Sequence, residues 1–162
     1  MKQSFTTPDL CDEFPDLILP VESLFNSYGG MSSFSGEIVT VKCFEDNSKV
    51  KHLVDTDGTN KVMVIDAGGS KRRACLGDML AEKAIKNSWN GFVIFGCVRD
   101  VEILETLPLG IFAIGTHPMK TDKRDRGDIN IPVTFGGVTF SPGHYIYADK
   151  NGIIITASAL TN

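Results

Sequence analysis

Two stretches of the chain are almost continuously apolar: Lys61-Val62-Met63-Val64-Ile65-Asp66 and Phe92-Val93-Ile94-Phe95-Gly96-Cys97-Val98. Short runs of this kind read as strands covered on both faces, as in a parallel sheet. Between them, over residues 77–89, the apolar spacing turns helical, and Met79, Leu80, Ala84 and Ile85 can share one face. Asn90-Gly91 is expected to close that helix. Residues 36–44 alternate and read as a half-buried strand. Thr7-Pro8-Asp9 opens a first short helix, with Thr7 as N-cap and Pro8 at the first helical position. Residues 25–35 read as a loop, 48–56 as a short helix stopped by Gly58, 101–107 as a short helix and 111–115 as a strand. From residue 129 onward the pattern gives three β segments, 131–135, 138–140 and 145–156. The last is broken at Asp149-Lys150-Asn151-Gly152, and Gly136-Gly137 suits a hairpin turn.

This order predicts an α/β fold, with parallel βαβ units in the middle and antiparallel hairpins attached. The 162 residues suit a single domain over 1–162, and no repeat or linker interrupts them. In open α/β sheets ligands collect beyond the carboxyl ends of the strands. Two such ends stand out: Asp66-Ala67-Gly68-Gly69 and Arg99-Asp100.

Gly77-Asp78-Met79-Leu80 starts the helix between the two buried strands. The first N–H groups of a helix lack an internal acceptor, and the helix dipole is positive there, so an anion fits. Glycine at 77 allows a ligand close to the backbone. Arg99 follows one helix and one strand later, 22 positions on, which returns the chain to the same sheet edge. Its guanidinium can hold a carboxylate with two parallel hydrogen bonds. Asp100 offers a hard oxygen for Mg²⁺ or Mn²⁺, ions that take one or two protein carboxylates and keep several waters. The plain alternatives are a surface ion pair for Arg99-Asp100, an Asp100 N-cap on the helix that begins at Val101, and a simple tight turn at Gly68-Gly69.

Other motifs carry less. Asp55-Thr56-Asp57-Gly58 has its glycine too early for a calcium loop and lacks the bidentate glutamate. Gly68-Gly69-Ser70-Lys71 lacks P-loop spacing. His52, His117 and His144 have no metal-ligand spacing, and no Ser-His-Asp or Cys-His arrangement emerges. Lys71-Arg72-Arg73 reads as a solvated face or a regulatory contact, and residues 120–128 as an exposed loop of mixed sign.

Composition narrows the classes. Hydrophobic residues make up 42% and charged residues 22% of the chain, an ordinary globular mixture. The net charge of -4 and the lack of aromatic-basic alternation argue against direct nucleic-acid binding. No apolar run approaches the roughly 20 residues of a membrane span. The N-terminal Met1-Lys2-Gln3-Ser4-Phe5-Thr6-Thr7 has no apolar leader core. Cys11, Cys43, Cys75 and Cys97 form no Cys-x-x-Cys pair and read as reduced thiols, so a cytoplasmic protein is expected.

Several segments together resemble the RraA-like family. They are Val64-Ile65-Asp66-Ala67-Gly68-Gly69-Ser70, Gly77-Asp78-Met79-Leu80 and Gly96-Cys97-Val98-Arg99-Asp100, with residues 34–47 and 135–140. The resemblance covers almost the whole chain. It implies a three-layer β/β/α swivelling domain and a ring-shaped homotrimer with sites near subunit boundaries. The family holds two functional kinds. One is the class II, divalent metal-dependent 4-hydroxy-4-methyl-2-oxoglutarate aldolase, which also decarboxylates oxaloacetate. The other is the regulator of ribonuclease E activity, which binds the RNA degradosome without catalysis. By the resemblance, Gly77, Asp78, Met79 and Leu80 hold substrate, Arg99 binds and orients it, and Asp100 binds Mg²⁺ or Mn²⁺. The expected substrate is a small keto acid cleaved to two pyruvates. One departure stands at Ile103, where aldolase members often carry an acidic residue; Glu102 and Glu105 lie nearby but out of phase.

Overall fold

The computed structural model describes residues 4–160; Met1, Lys2 and Gln3, part of the stretch read for a leader, lie outside the described residues. The first half of the chain forms α1 (Thr7–Glu13), β1 (Leu19–Pro20), β2 (Asn26–Ser27), β3 (Phe34–Lys42), α2 (Ser48–Val54), β4 (Lys61–Asp66) and β5 (Ala74–Leu76). Then follow α3 (Asp78–Lys86), β6 (Gly91–Val98), α4 (Val101–Leu104), β7 (Gly110–Thr116) and β8 (Asp128–Ile129). The tail adds β9 (Val133–Phe135), β10 (Val138–Phe140), β11 (Tyr145–Asp149) and β12 (Gly152–Thr156).

Strands β3, β4, β6 and β7 run parallel at the centre of a ten-stranded mixed sheet ordered β1-β12-β11-β3-β4-β6-β7-β2. β5 pairs with the end of β6, and β8 pairs with β3. The continuous apolar runs have their cause in this placement, because alternate side chains of β4 enter two different cores. Met63 and Ile65 join Val50, Leu53, Ala81, Ala84 and Leu104 beneath the helices. Val62 and Val64 join Val133, Phe135, Val138 and Phe140 on the opposite face. The β9–β10 hairpin therefore forms a layer of its own, and the three layers are helices, sheet and hairpin, the β/β/α arrangement expected. The hairpin turns at Gly136 and Gly137, whose φ angles of 60° and 77° match the doubly left-handed two-residue turn that suits twisted strands.

Several local expectations are corrected. The N-cap of α1 is Thr6, whose hydroxyl accepts the Asp9 amide; Thr7 instead gives its amide and hydroxyl to the Asp149 carboxylate. α2 ends at Val54, and Gly58 does not terminate it: a side chain there would collide with the Trp89 ring. α3 ends at Lys86, before Asn90-Gly91, and Ser88 takes the left-handed turn. Its buried residues are Ala81 and Ala84, with Leu80 and Ile85 partly covered, whereas Met79 is 75% exposed. α4 is a single turn, strand β2 breaks a segment read as loop, and β8 begins on the last residue of another. The sheet is edged by β1 and β2, each of two residues, so both edges are short.

Candidate active site

β4 and β6 are adjacent and parallel, so Asp66 and Arg99-Asp100 leave the sheet at the same edge. The polypeptide between them rises through β5 and enters α3 at Gly77. Gly77, Asp78, Met79, Leu80, Arg99 and Asp100 all border one cavity of about 210 Å³. The six positions singled out in the sequence are thus brought together. Gly68 and Gly69 are not among the lining residues; they turn the chain at the end of β4, against Phe44 and Phe95.

The geometry at Asp100 decides between the readings of this residue. Asp100 has φ 59° and precedes α4, but its side chain makes no capping bond to that helix. Oδ2 instead accepts the amide of Asp78, the first residue of α3, at 3.1 Å. The N-cap of α3 is Gly77, which has no side chain to do this. A Cβ at 77 would lie 2.6 Å from Asp100 Oδ2 and 3.4 Å from the Arg99 side chain. The close approach that Gly77 permits is therefore that of Asp100. Helix geometry leaves the Met79 and Leu80 amides without intrahelical acceptors at the cavity wall.

Arg99 is held by its amide on the Leu76 carbonyl at 3.0 Å and by Nη1 on the Pro118 carbonyl at 3.3 Å. Its Nε lies 4.0 Å from Asp100 Oδ2, at the limit of an ion pair, and both side chains remain over a third exposed. Most of its donors stay available. Among the described residues Oδ1 of Asp100 has no hydrogen-bond donor. One free carboxylate oxygen, on a side chain 35% exposed that lines the cavity, is what a hydrated Mg²⁺ or Mn²⁺ requires of a protein when waters and ligand oxygens fill the remaining positions. No cluster of three or more His, Cys, Asp or Glu side chains suited to a metal is found among the described residues. Ile103 is exposed and offers no side-chain oxygen, while Glu102 and His117 border a second hollow of about 330 Å³ that Arg99 and Asp100 also line.

The rest of the lining was not legible as a site. Asn47, Lys51, Lys83, Lys120 and Lys123 also line the cavity. Residues 120–126 are not a free loop. Thr121 is buried and its hydroxyl bonds Asn47, accepting the amide at 3.1 Å and donating to Oδ1 at 2.8 Å. Asn47 in turn donates to the Cys75 carbonyl at 2.8 Å. Asp46 accepts the amides of Arg124 and Arg126. Burial pushes the Asp46 carboxyl up, but the Ser48 hydroxyl and the amides of Ser48, Arg124 and Arg126 outweigh it and hold the pKa down to about 2. Burial, then the nearby Lys51, Lys120 and Arg99 charges, depress the pKa of Lys123.

The basic run 71–73 is partly engaged within the chain. Arg72 Nε meets Glu45 at 2.7 Å, and Arg73 Nη1 reaches the Lys120 carbonyl at 3.4 Å. All four cysteines are free, as expected, and no helix among the described residues is long and apolar enough to cross a membrane.

A family model described as RraA-like, Aldolase/RraA, matches residues 7–155. A Stutzerimonas stutzeri protein provisionally named 4-hydroxy-4-methyl-2-oxoglutarate aldolase is 64% identical over 157 residues, 97% of either chain. Among solved structures, one described as S-adenosylmethionine:2-dimethylmenaquinone methyltransferase, from Geobacillus kaustophilus, superposes with a TM-score of 0.95 at 42% identity, covering 98% of this chain and 99% of that one. The RNA-processing inhibitor RraA from Thermus thermophilus superposes at 0.94 with 34% identity, covering 99% of this chain and 97% of that one.

Proposed function

The chain belongs to the RraA-like family, and from that premise we propose that it is an enzyme, a carbon–carbon lyase that cleaves 4-hydroxy-4-methyl-2-oxoglutarate to two pyruvates. The single observation that carries the reading is the cavity formed by Gly77–Leu80 with Arg99 and Asp100 and ringed by cations. It suits a small polyanion. A sulfonium cofactor carries positive charge and would be repelled by the same ring, so the methyltransferase description of one structural neighbour finds no support in this site.

In this reading Arg99 and the Met79 and Leu80 amides bind the keto-acid carboxylate and orient the C3–C4 bond. The C4 hydroxyl loses its proton to water, the C3–C4 bond breaks, and C4 becomes the carbonyl of one pyruvate. The electron pair passes to C3 as the enolate of the second pyruvate, which Arg99 and the helix terminus stabilise until C3 is protonated. Asp100 would hold a divalent cation, Mg²⁺ or Mn²⁺, which when bound polarises the keto-acid oxygens. Loss of CO₂ from oxaloacetate generates the same enolate and is a secondary activity of the site. No lysine forms a Schiff base in this scheme.

The chain acts as one RraA-like domain within a homotrimer. Support for assembly comes from apolar side chains left exposed: Met79 at 75%, Phe44 at 56%, Met119 at 53% and Ile103 at 42%. Met79 lines the cavity, so a neighbouring subunit would help enclose it.

The test is pyruvate release from both substrates with Mg²⁺, with Mn²⁺ and with EDTA. Arg99→Ala abolishes it, while Lys61→Ala and Lys71→Ala do not; the reverse pattern overturns the assignment. A second reading, favoured by the likeness to the RNA-processing inhibitor, is regulation of ribonuclease E through protein contact. Capture of the ribonuclease E scaffold region, unaffected by EDTA and lost in Lys71→Ala, would establish it.

A further inference from the structure

Lys51, Lys120 and Lys123 line the same cavity as Gly77–Leu80, and among the described residues none has an acidic partner within ion-pair distance. Of the other cations that line the cavity, Lys83 meets Asp55 at 3.5 Å, and Arg99 lies beside Asp100 with most of its donors available. The acidic residues that line the space are Asp78 and Asp100, and Asp100 Oδ2 is taken by the Asp78 amide. Three ammonium groups without acidic partners line one cavity and repel one another; the Lys123 pKa is depressed first by burial and then by the Lys51, Lys120 and Arg99 charges.

The crowding is held in place by the fold. Thr121 is buried against Asn47, between the two loop lysines in sequence. The Lys120 carbonyl accepts Arg73, and Asp46 fixes the amides just beyond Lys123. A protein that pins like charges together bears a stability cost unless an anion offsets it. A keto-acid carboxylate on Arg99 and α3 leaves these three lysines unmatched.

We propose that Lys51, Lys120 and Lys123 form a second anion subsite that selects keto acids bearing another carboxylate at the end opposite the keto-acid group. This rests on the lyase reading, in which Arg99 and the α3 amides take the first carboxylate. The subsite makes the site one for dicarboxylic substrates and places the departing pyruvate, the half derived from C4, beside the lysines.

Calorimetry of the full-length protein with 2-oxoglutarate and 2-oxopentanoate tests it, because the two have equal carbon number and differ in the distal carboxylate. In the presence of Mg²⁺ the wild type is expected to bind 2-oxoglutarate at least about tenfold tighter, as charge-assisted hydrogen bonds to a carboxylate allow. The double variant Lys120→Met with Lys123→Met loses that preference and keeps its affinity for 2-oxopentanoate, whereas Lys71→Met leaves the preference intact. Equal binding by the wild type, or a preference that survives in the double variant, overturns the subsite. A preference lost equally in Lys71→Met reduces it to general attraction and overturns it too. If no pyruvate is released from the aldol while the preference behaves as expected, the lyase reading falls and the subsite stands.

Discussion

Asp100 caps a helix that is not its own: its Oδ2 accepts the amide of Asp78, 22 residues earlier in the chain, across a gap that only a residue without Cβ at 77 leaves open. One carboxylate thus joins the end of β6 to the start of α3, and it does so beside Arg99. The capping bond uses Oδ2 and leaves Oδ1 without a donor among the described residues.

Gly77→Ala should therefore act through Asp100. The added methyl would stand 2.6 Å from Oδ2, so the carboxylate must move. We expect the variant to fold, with a loss of about 1 kcal/mol, the usual worth of a helix cap. Pyruvate release should fall about tenfold or more, because the displaced group is at the reacting end of the cavity. Thermal unfolding and kcat/KM measured together check this; full activity with unchanged stability would show that the close approach has no role.

Acid should loosen the lysine wall first. Asp46 has its pKa held at about 2 against 3.8 for a free group. A depressed pKa in the folded state stabilises the fold above the unfolded value, and that contribution is lost as pH falls from about 3.8 to about 2. Asp149 shifts the same way: burial pushes it up, and the Thr7 amide and hydroxyl with the Asn151 amide more than offset this. Asp46→Asn should cost about 1–2 kcal/mol in urea unfolding at pH 7, and the difference should shrink below about pH 3. A constant difference across that range would contradict the assignment.

Assembly is tested by Met79. The wild type should scatter light as a particle of about three times 17.6 kDa. Met79→Glu should shift the mass toward that of one chain, because a charge cannot be covered by an apolar neighbour at low cost. A wild-type monomer at micromolar concentration would refute the trimer.

Residues differ in how openly they announce their roles. Lys61–Asp66 was legible because a strand buried on both faces has no polar position to obscure it. Gly77, Arg99 and Asp100 were legible because one helix and one strand separate them, and parallel topology returns such points to one edge. Met79 was grouped with Leu80, Ala84 and Ile85 on one helix face, yet it is 75% exposed and lines the cavity. Helical spacing marks an apolar stripe without saying what covers it, and here Ala81 and Ala84 make the contact. Lys120 and Lys123 were hidden, since a loop has no periodicity and its position is set by distant partners, Thr121 on Asn47 and Arg124 on Asp46. A trace existed: at Asp46-Asn47-Ser48, where α2 begins, the Asp46 and Ser48 side chains accept backbone amides and the Asn47 side chain donates to the Cys75 carbonyl. The partner of Asp100 was equally unreadable, because the local option, capping α4, was the simpler one.

Asp100→Asn remains the sharpest test of chemistry. The amide oxygen of Asn can still accept from Asp78, so the cap is retained and stability should change by well under about 1 kcal/mol. The negative charge is lost, and with it the oxygen that would face a divalent cation. If Asp100 serves the helix alone, turnover persists in the variant. If Oδ1 belongs to the reacting end, metal-dependent pyruvate release should fall about a hundredfold or more, several kcal/mol of transition-state stabilisation. Asp100→Ala then separates the two roles, since it removes both the cap and the charge and should cost about 1 kcal/mol more in unfolding than Asp100→Asn while matching it in turnover. Steady-state kinetics with Mg²⁺ and with EDTA, paired with urea unfolding of each variant, read both quantities. Full turnover by a folded Asp100→Asn protein would confine Asp100 to its structural bond and leave the carboxylate-binding wall as the only functional part of the site.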